Sequence, residues 1–221
     1  MPLNAAVSLS EQIANHLAAR IIRGEIGPGE RLPETELARE LEVSTNSLRE
    51  AFRVLESQHL VEIQPRKGAR ACDISPDHVT DLYDFLFLLL SRLAARAAER
   101  WEGEDLDDIV QLLSEMEKRA REHDVAGAHE VAFTILRRSL RFTGNRYLID
   151  AIEDLMPLLQ RYSFIALKEE TSELDLSLGY FRELVANIQS RDPSAAASSV
   201  RAYGDDQCRI VLRAIEKQSA A

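Results

Sequence analysis

The chain has 221 residues, 45% of them hydrophobic, with 9 Gly and 7 Pro, which is enough apolar material for a real core in one large or two small domains. Its net charge of −10 excludes non-specific polyanion binding by the molecule as a whole, but not a local basic face. The charge is uneven, because residues 1–75 sum to −2 and residues 76–221 to −8.

The chain opens with MPLNAAVSLS, which has neither a basic n-region nor an apolar core and does not read as a signal peptide. Residues 9–23 have the period of an amphipathic helix, with Ile13, Leu17 and Ile21 at four-residue steps and Ala14, Ala18 and Ile22 beside them. Ser8 or Ser10 can cap it, and Gly24, Gly27, Pro28 and Gly29 stop it. Arg31-Leu32-Pro33 then leads into a short helix carrying Leu37, Ala38 and Leu41. After a break around Val43 a further helix follows, with Leu48, Ala51, Phe52 and Leu55 on one face and Ser44 or Thr45 as its N-cap.

Next come an alternating scrap, Leu60-Val61-Glu62-Ile63, and a basic turn, Pro65-Arg66-Lys67-Gly68-Ala69-Arg70. Two short helices and a small hairpin predict a winged helix-turn-helix whose second helix enters a DNA major groove and whose basic turn is the wing. The competing reading is a plain helical hairpin with a solvated charge cluster. On the first reading Thr45, Asn46 and Ser47 open the recognition helix, where side chains and free N–H groups can face bases and phosphates. Arg49 and Arg53 follow at one-turn steps, within reach of the backbone or a guanine edge. Arg53 has an alternative, an internal pair with Glu50 or Glu56.

These residues also resemble a known family. The stretch IIRGEIGPGERLPETELARELEVSTNSLREAFRVLESQHLVEIQPRKGARA is similar to the DNA-binding domain of the GntR family of bacterial transcriptional regulators. The specific pieces are G-x-x-x-P-G-x-x-L-P (Gly24 to Pro33), L-A-x-x-L-x-V-S (Leu37 to Ser44), L-R-E-A-x-x-x-L (Leu48 to Leu55) and the R-K-G wing. The resemblance implies a wing tip at Lys67 and Gly68 that enters the minor groove. It also marks two departures: the family usually has Arg where Thr35 and Thr45 stand. Two fewer cations lower phosphate affinity and flatten its salt dependence. The usual GT…AC half-sites need not be read here, and Arg66 can supply a charge more often found elsewhere.

A short linker, ACDISP, runs from Ala71 to Pro76, and Ser75-Pro76-Asp77 opens a new helix. No strand-like alternation follows. The spacing predicts helices over 77–101, 104–123, 124–142, 146–168 with an interruption near Pro157, about 171–190, and about 193–217. Short connections between them predict an antiparallel bundle. The longest apolar run, Phe85–Leu90, is six residues, far too short to cross a bilayer. Cys72 and Cys208 lie far apart and outside any ligand spacing, which fits a reduced cytoplasmic setting. No nucleophile–base pair, phosphate-cradling Gly loop or metal cluster marks an enzyme.

The second part resembles the all-helical FCD ligand-binding domain of the FadR subgroup, through TGNRYL (143–148), SRDPSAAASSVRAY (190–203) and the long helix DLYDFLFLLLSRLAARAAER. Most members of that subgroup hold a metal with one Asp and three His. Anchored on Gly144-Asn145 and on Asp192, those positions fall on Ala132, Leu136, Phe181 and Tyr203, and a pocket-facing Arg and Glu fall on Leu86 and Leu90. The resemblance therefore implies a bundle without metal or other cofactor. Its pocket would be lined by Leu86, Leu90, Ala132, Leu136, Phe181 and Tyr203, with a polar end at Tyr180, Tyr203 or Asn145.

Taken together, the expected fold is mostly α, with a winged helix-turn-helix over 1–74 and an all-helical effector-binding and dimerisation bundle over 75–221. The expected function is DNA-binding transcriptional regulation, as a repressor acting as a homodimer on a pseudo-palindromic double-stranded operator. The expected DNA contacts are Thr35, Ser44, Thr45, Asn46, Ser47, Arg49, Arg53, Arg66, Lys67 and Gly68. The expected effector is mostly apolar, of fatty acyl or acyl-coenzyme A type; the alternative is a ligand-independent dimer whose bundle is only a scaffold.

Overall fold

The computed structural model describes residues 8–169 and 173–219. The opening residues 1–7 and the first two positions of the helix expected from 171 lie outside them. Among the described residues the chain forms nine α-helices, one 3-10 turn and three short strands. They divide into two compact units, residues 1–74 with 154–161, and residues 75–153 with 162–221.

The first unit begins with α1 (Leu9–Ile22), closed at its start by Ser8, whose hydroxyl accepts from the Glu11 amide while the Glu11 side chain accepts from the Ser8 amide. Strand β1 (Arg31–Leu32), helices α2 (Glu34–Glu40) and α3 (Thr45–Ser57), and strands β2 (Val61–Gln64) and β3 (Gly68–Ala71) follow. The sheet runs β1-β3-β2 and both pairings are antiparallel. Strand β1 was not expected. Arg31 and Leu32 read as a connection, but Leu32 pairs with Ala69 and is buried in the same core. That core joins Ile13, Leu17 and Ile21 of α1, Leu37 of α2, Leu48, Phe52 and Leu55 of α3, and Val61 and Ala69 of the sheet.

In the second unit, α4 (Pro76–Arg100) starts on a Ser75 cap with Pro76 in its first turn. Helices α5 (Asp107–Arg121) and α6 (Val125–Ser139) follow, then a 3-10 turn over Leu140–Thr143 that tightens what the sequence read as the last turn of one helix. Helices α7 (Arg146–Glu169), α8 (Glu173–Gln189) and α9 (Pro193–Ser219) complete it, apart from residues 154–161 of α7, which group with the first unit. The interruption expected near Pro157 is absent. Helix α7 runs through it, although a proline there cannot donate to the carbonyl four residues back. The end of α4 is tied down by Trp101, whose Nε1 donates to the Ile188 carbonyl at 2.8 Å. Arg191 stacks over the indole, 4.6 Å from its centroid, and donates to the Trp101 carbonyl.

Helices α4 and α9 approach closely at one point. A Cβ at Gly204 would overlap the Phe87 ring and come within 2.9 Å of the Phe87 Cβ. The Phe87 Cβ sits at the root of its side chain, so a rotamer change cannot clear it. Gly204→Ala is therefore expected to lower stability by about 1–3 kcal/mol through overpacking, despite the better helix propensity of Ala. At Gly179 in α8 an added Cβ meets nothing within 4 Å, so Gly179→Ala should stabilise by about 0.5–1 kcal/mol. Urea unfolding of both variants beside the parent reads the two opposite signs, and a shared sign rejects the close-approach account.

Candidate nucleic-acid interface and bundle site

Helix α3 is fixed by its apolar face. Leu48, Ala51, Phe52 and Leu55 are all at most 1% exposed, so the residues between them must face out. Thr45, Asn46, Arg49 and Arg53 are exposed, and Ser47 is half-buried. Ser44 is the cap: its hydroxyl accepts from the Ser47 amide at 3.0 Å and lies 2.8 Å from the Ser47 hydroxyl. Asn46 donates to Glu50 at 3.3 Å. Thr35 is exposed in the first turn of α2.

The sequence reading missed one partner at this edge. Arg49 Nε donates to Glu34 Oε2 at 2.8 Å, although the Arg49 side chain stays 62% exposed. Glu34 opens α2 fifteen residues earlier, so local spacing carries no signal for the pair. The bond uses Nε and leaves the two terminal nitrogens to face outward. Neither internal partner considered for Arg53 is engaged with it. Glu50 accepts from Asn46, and Glu56 accepts from the Ile63 amide at 3.1 Å. Among the described residues Arg53 forms no ion pair.

The wing is a tight turn between β2 and β3. Lys67 N donates to the Gln64 carbonyl at 3.0 Å, Arg66 sits at φ 65 and Gly68 at φ 85. The backbone at Gly68 favours glycine, and a Cβ there would meet nothing within 4 Å, so the tip is open. Arg66 and Lys67 are exposed and form no ion pair among the described residues. Arg70, by contrast, lies directly across the ladder from Glu62 and donates to it at 2.9 Å. That hydrogen bond holds the Glu62 carboxyl below the usual carboxylate range and consumes the Arg70 charge.

The eight residues expected to line a bundle pocket do not all meet. Leu86 and Leu90 are buried on the inward face of α4. Ala132 and Phe181 pack against one cluster built from α5, α6 and α8, and Leu136 is half-buried on α6. Asn145 is exposed, and its Oδ1 accepts from the Tyr147 and Leu148 amides at the start of α7. Tyr180, Phe181 and Tyr203 do come together, with Leu184, Ser199 and Val200, around a recess of about 30 Å3. The i, i+4 pairs 180/184 and 199/203 could have placed those further residues. The polar groups here already have partners: Tyr180 donates to Asp206, and the Tyr203 and Ser177 hydroxyls are 2.9 Å apart.

The four positions that would hold a metal offer one oxygen between them, the engaged Tyr203 hydroxyl. They do not fit a metal. Among the described residues no three His, Cys, Asp or Glu side chains are grouped to hold one. Nor is any described helix long and apolar enough to cross a membrane.

A buried three-helix head that projects one helix edge and a basic wing, joined to a separate helical unit, has the construction of a DNA-binding transcriptional regulator. Residues 9–70 match the bacterial regulatory proteins of the gntR family, and residues 81–206 match the FCD domain. The chain belongs to the gntR family, in its FCD-bearing form. It is 28% identical to the HTH-type transcriptional repressor GlaR of Escherichia coli (strain K12) over 196 residues, covering 83% of this chain and 86% of that protein. It is 24% identical to the uncharacterized HTH-type transcriptional regulator YdhC of Bacillus subtilis (strain 168), covering 93% and 92%. The solved structure of E. coli McbR/YncC shares the fold, with a TM-score of 0.82 at 20% identity over 94% of this chain and 99% of that one. The chain is thus a transcriptional regulator and not an enzyme.

The cap gives a direct check on the reading edge. Ser44→Ala is expected to cost about 1 kcal/mol and to speed hydrogen exchange at the Ser47 amide, leaving the bundle amides unchanged. Unaltered Ser47 exchange would show that the hydroxyl does not hold the start of α3.

Proposed function

We propose that the protein is a repressor that binds a pseudo-palindromic operator as two copies, with residues 1–74 reading DNA and 75–221 carrying dimerisation and the response to effector. The observation that supports the reading surface is the outward edge of α3 together with the wing tip, where Arg49, Arg53, Arg66 and Lys67 are exposed in one unit whose inward face is closed. Thr35, Ser44, Thr45, Asn46, Ser47 and Gly68 complete the surface. Relatives named as repressors, GlaR and the gluconate operon transcriptional repressor of Bacillus licheniformis, support repression.

Arg49 has two terminal nitrogens available for a guanine edge, whereas Lys67 is a point charge suited to phosphate. Arg49→Ala is therefore expected to cost about 1–3 kcal/mol of operator binding and to relax specificity at one base pair. Lys67→Ala should instead weaken all sequences alike and reduce the salt slope by about 1. Fluorescence anisotropy on a site selected from genomic fragments, over a range of salt, measures both. An Arg49→Ala protein that binds as well as the parent rejects this placement of the recognition helix.

For the effector we infer a mostly apolar ligand of acyl or acyl-coenzyme A type. The support is chemical, because the positions that would carry charge or metal ligands hold Leu86, Leu90, Ala132, Leu136 and Phe181. The size of the recess favours a second reading. A volume of about 30 Å3 is far below the several hundred Å3 usual for a ligand site, so an acyl chain enters only if α8 and α9 part. If they do not, the bundle is a scaffold and repression is ligand-independent. A thermal-shift screen separates the two: an acyl ligand at one hundred times its Kd stabilises by about 2.7 kcal/mol. If fatty acids, acyl-coenzyme A esters and simple carboxylates leave both Tm and operator affinity unchanged, the scaffold reading stands.

A further inference from the structure

Of the four cations on the edge of α3 and the wing, one is held by an acid. Arg49 Nε donates to Glu34 Oε2 at 2.8 Å, whereas Arg53, Arg66 and Lys67 form no ion pair among the described residues. The Glu34 side chain is 27% exposed against 62% for Arg49, so the acid is the fixed end of the pair. Both ends stand on elements of one core. Leu37 and Ala38 anchor α2, and Leu48, Ala51, Phe52 and Leu55 anchor α3. Neither helix can turn to release the pair without exposing part of that core.

A surface pair of this kind adds little to stability. Its effect lies in how it constrains the guanidinium. An unrestrained arginine samples many rotamers, so on a wrong sequence it can still swing to a phosphate and keep much of its attraction. Arg49 is engaged at Nε, the root of its planar fork, which leaves its two terminal nitrogens. Those are the atoms that can meet O6 and N7 of a guanine together. For Arg49 to swing to a phosphate, the bond to Glu34 must break. The carboxylate would then face the DNA backbone unmatched, which is repulsive. Glu34 thus works against wrong sequences more than in favour of the right one.

We propose that Glu34 is a specificity-determining positioning residue, which holds Arg49 toward one base edge and keeps it from the phosphates. It rests on the reading that Arg49 meets a base in the major groove and adds what confines it there. Fluorescence anisotropy with the full chain tests it over a range of salt. The duplexes are the operator selected from genomic fragments, the same operator with each base pair changed in turn, and an unrelated sequence. The proteins are the parent, Glu34→Ala, Glu34→Gln, Arg49→Ala and the double variant Glu34→Ala/Arg49→Ala, with circular dichroism as the check on folding.

Arg49→Ala marks the base pair that Arg49 reads, by the loss of discrimination there. Glu34→Ala is expected to lower discrimination at that same base pair about tenfold, because the guanidinium must then be ordered on binding. It should also bind the unrelated duplex more tightly and steepen the salt slope by about 1, as Arg49 gains a phosphate. Glu34→Gln, of the same size, should move all three quantities in the same direction by less. The double variant should discriminate no worse than Arg49→Ala alone, because Glu34 acts only through Arg49. Glu34 variants with the parent's discrimination and salt slope, a uniform loss on every duplex, or losses that add in the double variant overturn the role of Glu34 and leave Arg49 as the reader. An Arg49→Ala protein that discriminates like the parent at every base pair overturns the underlying reading as well.

Discussion

Everything the N-terminal unit can do depends on the burial of one face of α3. Four side chains, Leu48, Ala51, Phe52 and Leu55, are withdrawn almost completely from water, and burying each of the three larger ones is worth about 1.5–3 kcal/mol. That burial is the physical cause of the outward polar edge. Rotating α3 to hide Arg49 or Arg53 would bring Phe52 and Leu55 into solvent. The helix therefore presents its polar edge as a rigid element, and Ser44 sets where that edge begins. The wing is held the same way, because Ala69 and Ala71 of β3 are buried in the same core while the turn between the strands stays outside it.

The second unit uses a different device. Helix α4 has twelve buried residues, and its last four buried positions are alanines, Ala94, Ala95, Ala97 and Ala98. Small side chains let neighbouring elements come close. Gly204 does the same from α9 beneath the Phe87 ring. Tyr83 stacks on that ring at 5.3 Å, and Tyr203 meets it edge-on at 6.1 Å. The aromatic series continues through Tyr180 and Phe181. The site where a ligand would be sought is thus built by the same rings that pack α4, α8 and α9, and admitting a ligand would require repacking them.

The parts of this molecule that were legible in the sequence are those with a period or a cap. Ile13, Leu17 and Ile21 recur at helical steps, Ser8, Ser44 and Ser75 announce helix starts, and Pro65 to Gly68 announce a turn. Each is a local signal, and each produced its element. What stayed hidden has no local period. A two-residue strand, Arg31–Leu32, cannot alternate long enough to be read and exists because β3 offers it partners. Pro157 looks like a break, yet the surrounding α7 continues through it, a case where the fold outweighs propensity. The Glu34–Arg49 pair joins two elements whose separation along the chain says nothing of their contact. Asn145 was read as a pocket group because Asn can offer a polar end. Its side chain instead caps α7, the use its position between two helices favours.

Charge shows most clearly why position outranks totals. The first 75 residues are net acidic, which for a DNA-binding part looks contradictory. Several of the carboxylates are matched locally by cations: Glu40 receives Arg20 at 3.0 Å, Glu34 receives Arg49, and Glu62 receives Arg70. Glu11 and Glu56 accept backbone amides. On the proposed reading, what a phosphate meets first is the exposed tip, Arg66 and Lys67, and the exposed edge of α3, where Arg53 stands without an ion pair among the described residues. Acidic groups beyond roughly 8 Å are largely screened at physiological salt, so these few cations decide the local potential. With Thr35 and Thr45 in place of the arginines the family usually carries, fewer counterions are released on binding. On the proposed reading, affinity then leans more on base contacts and on a second head than on the general attraction of DNA.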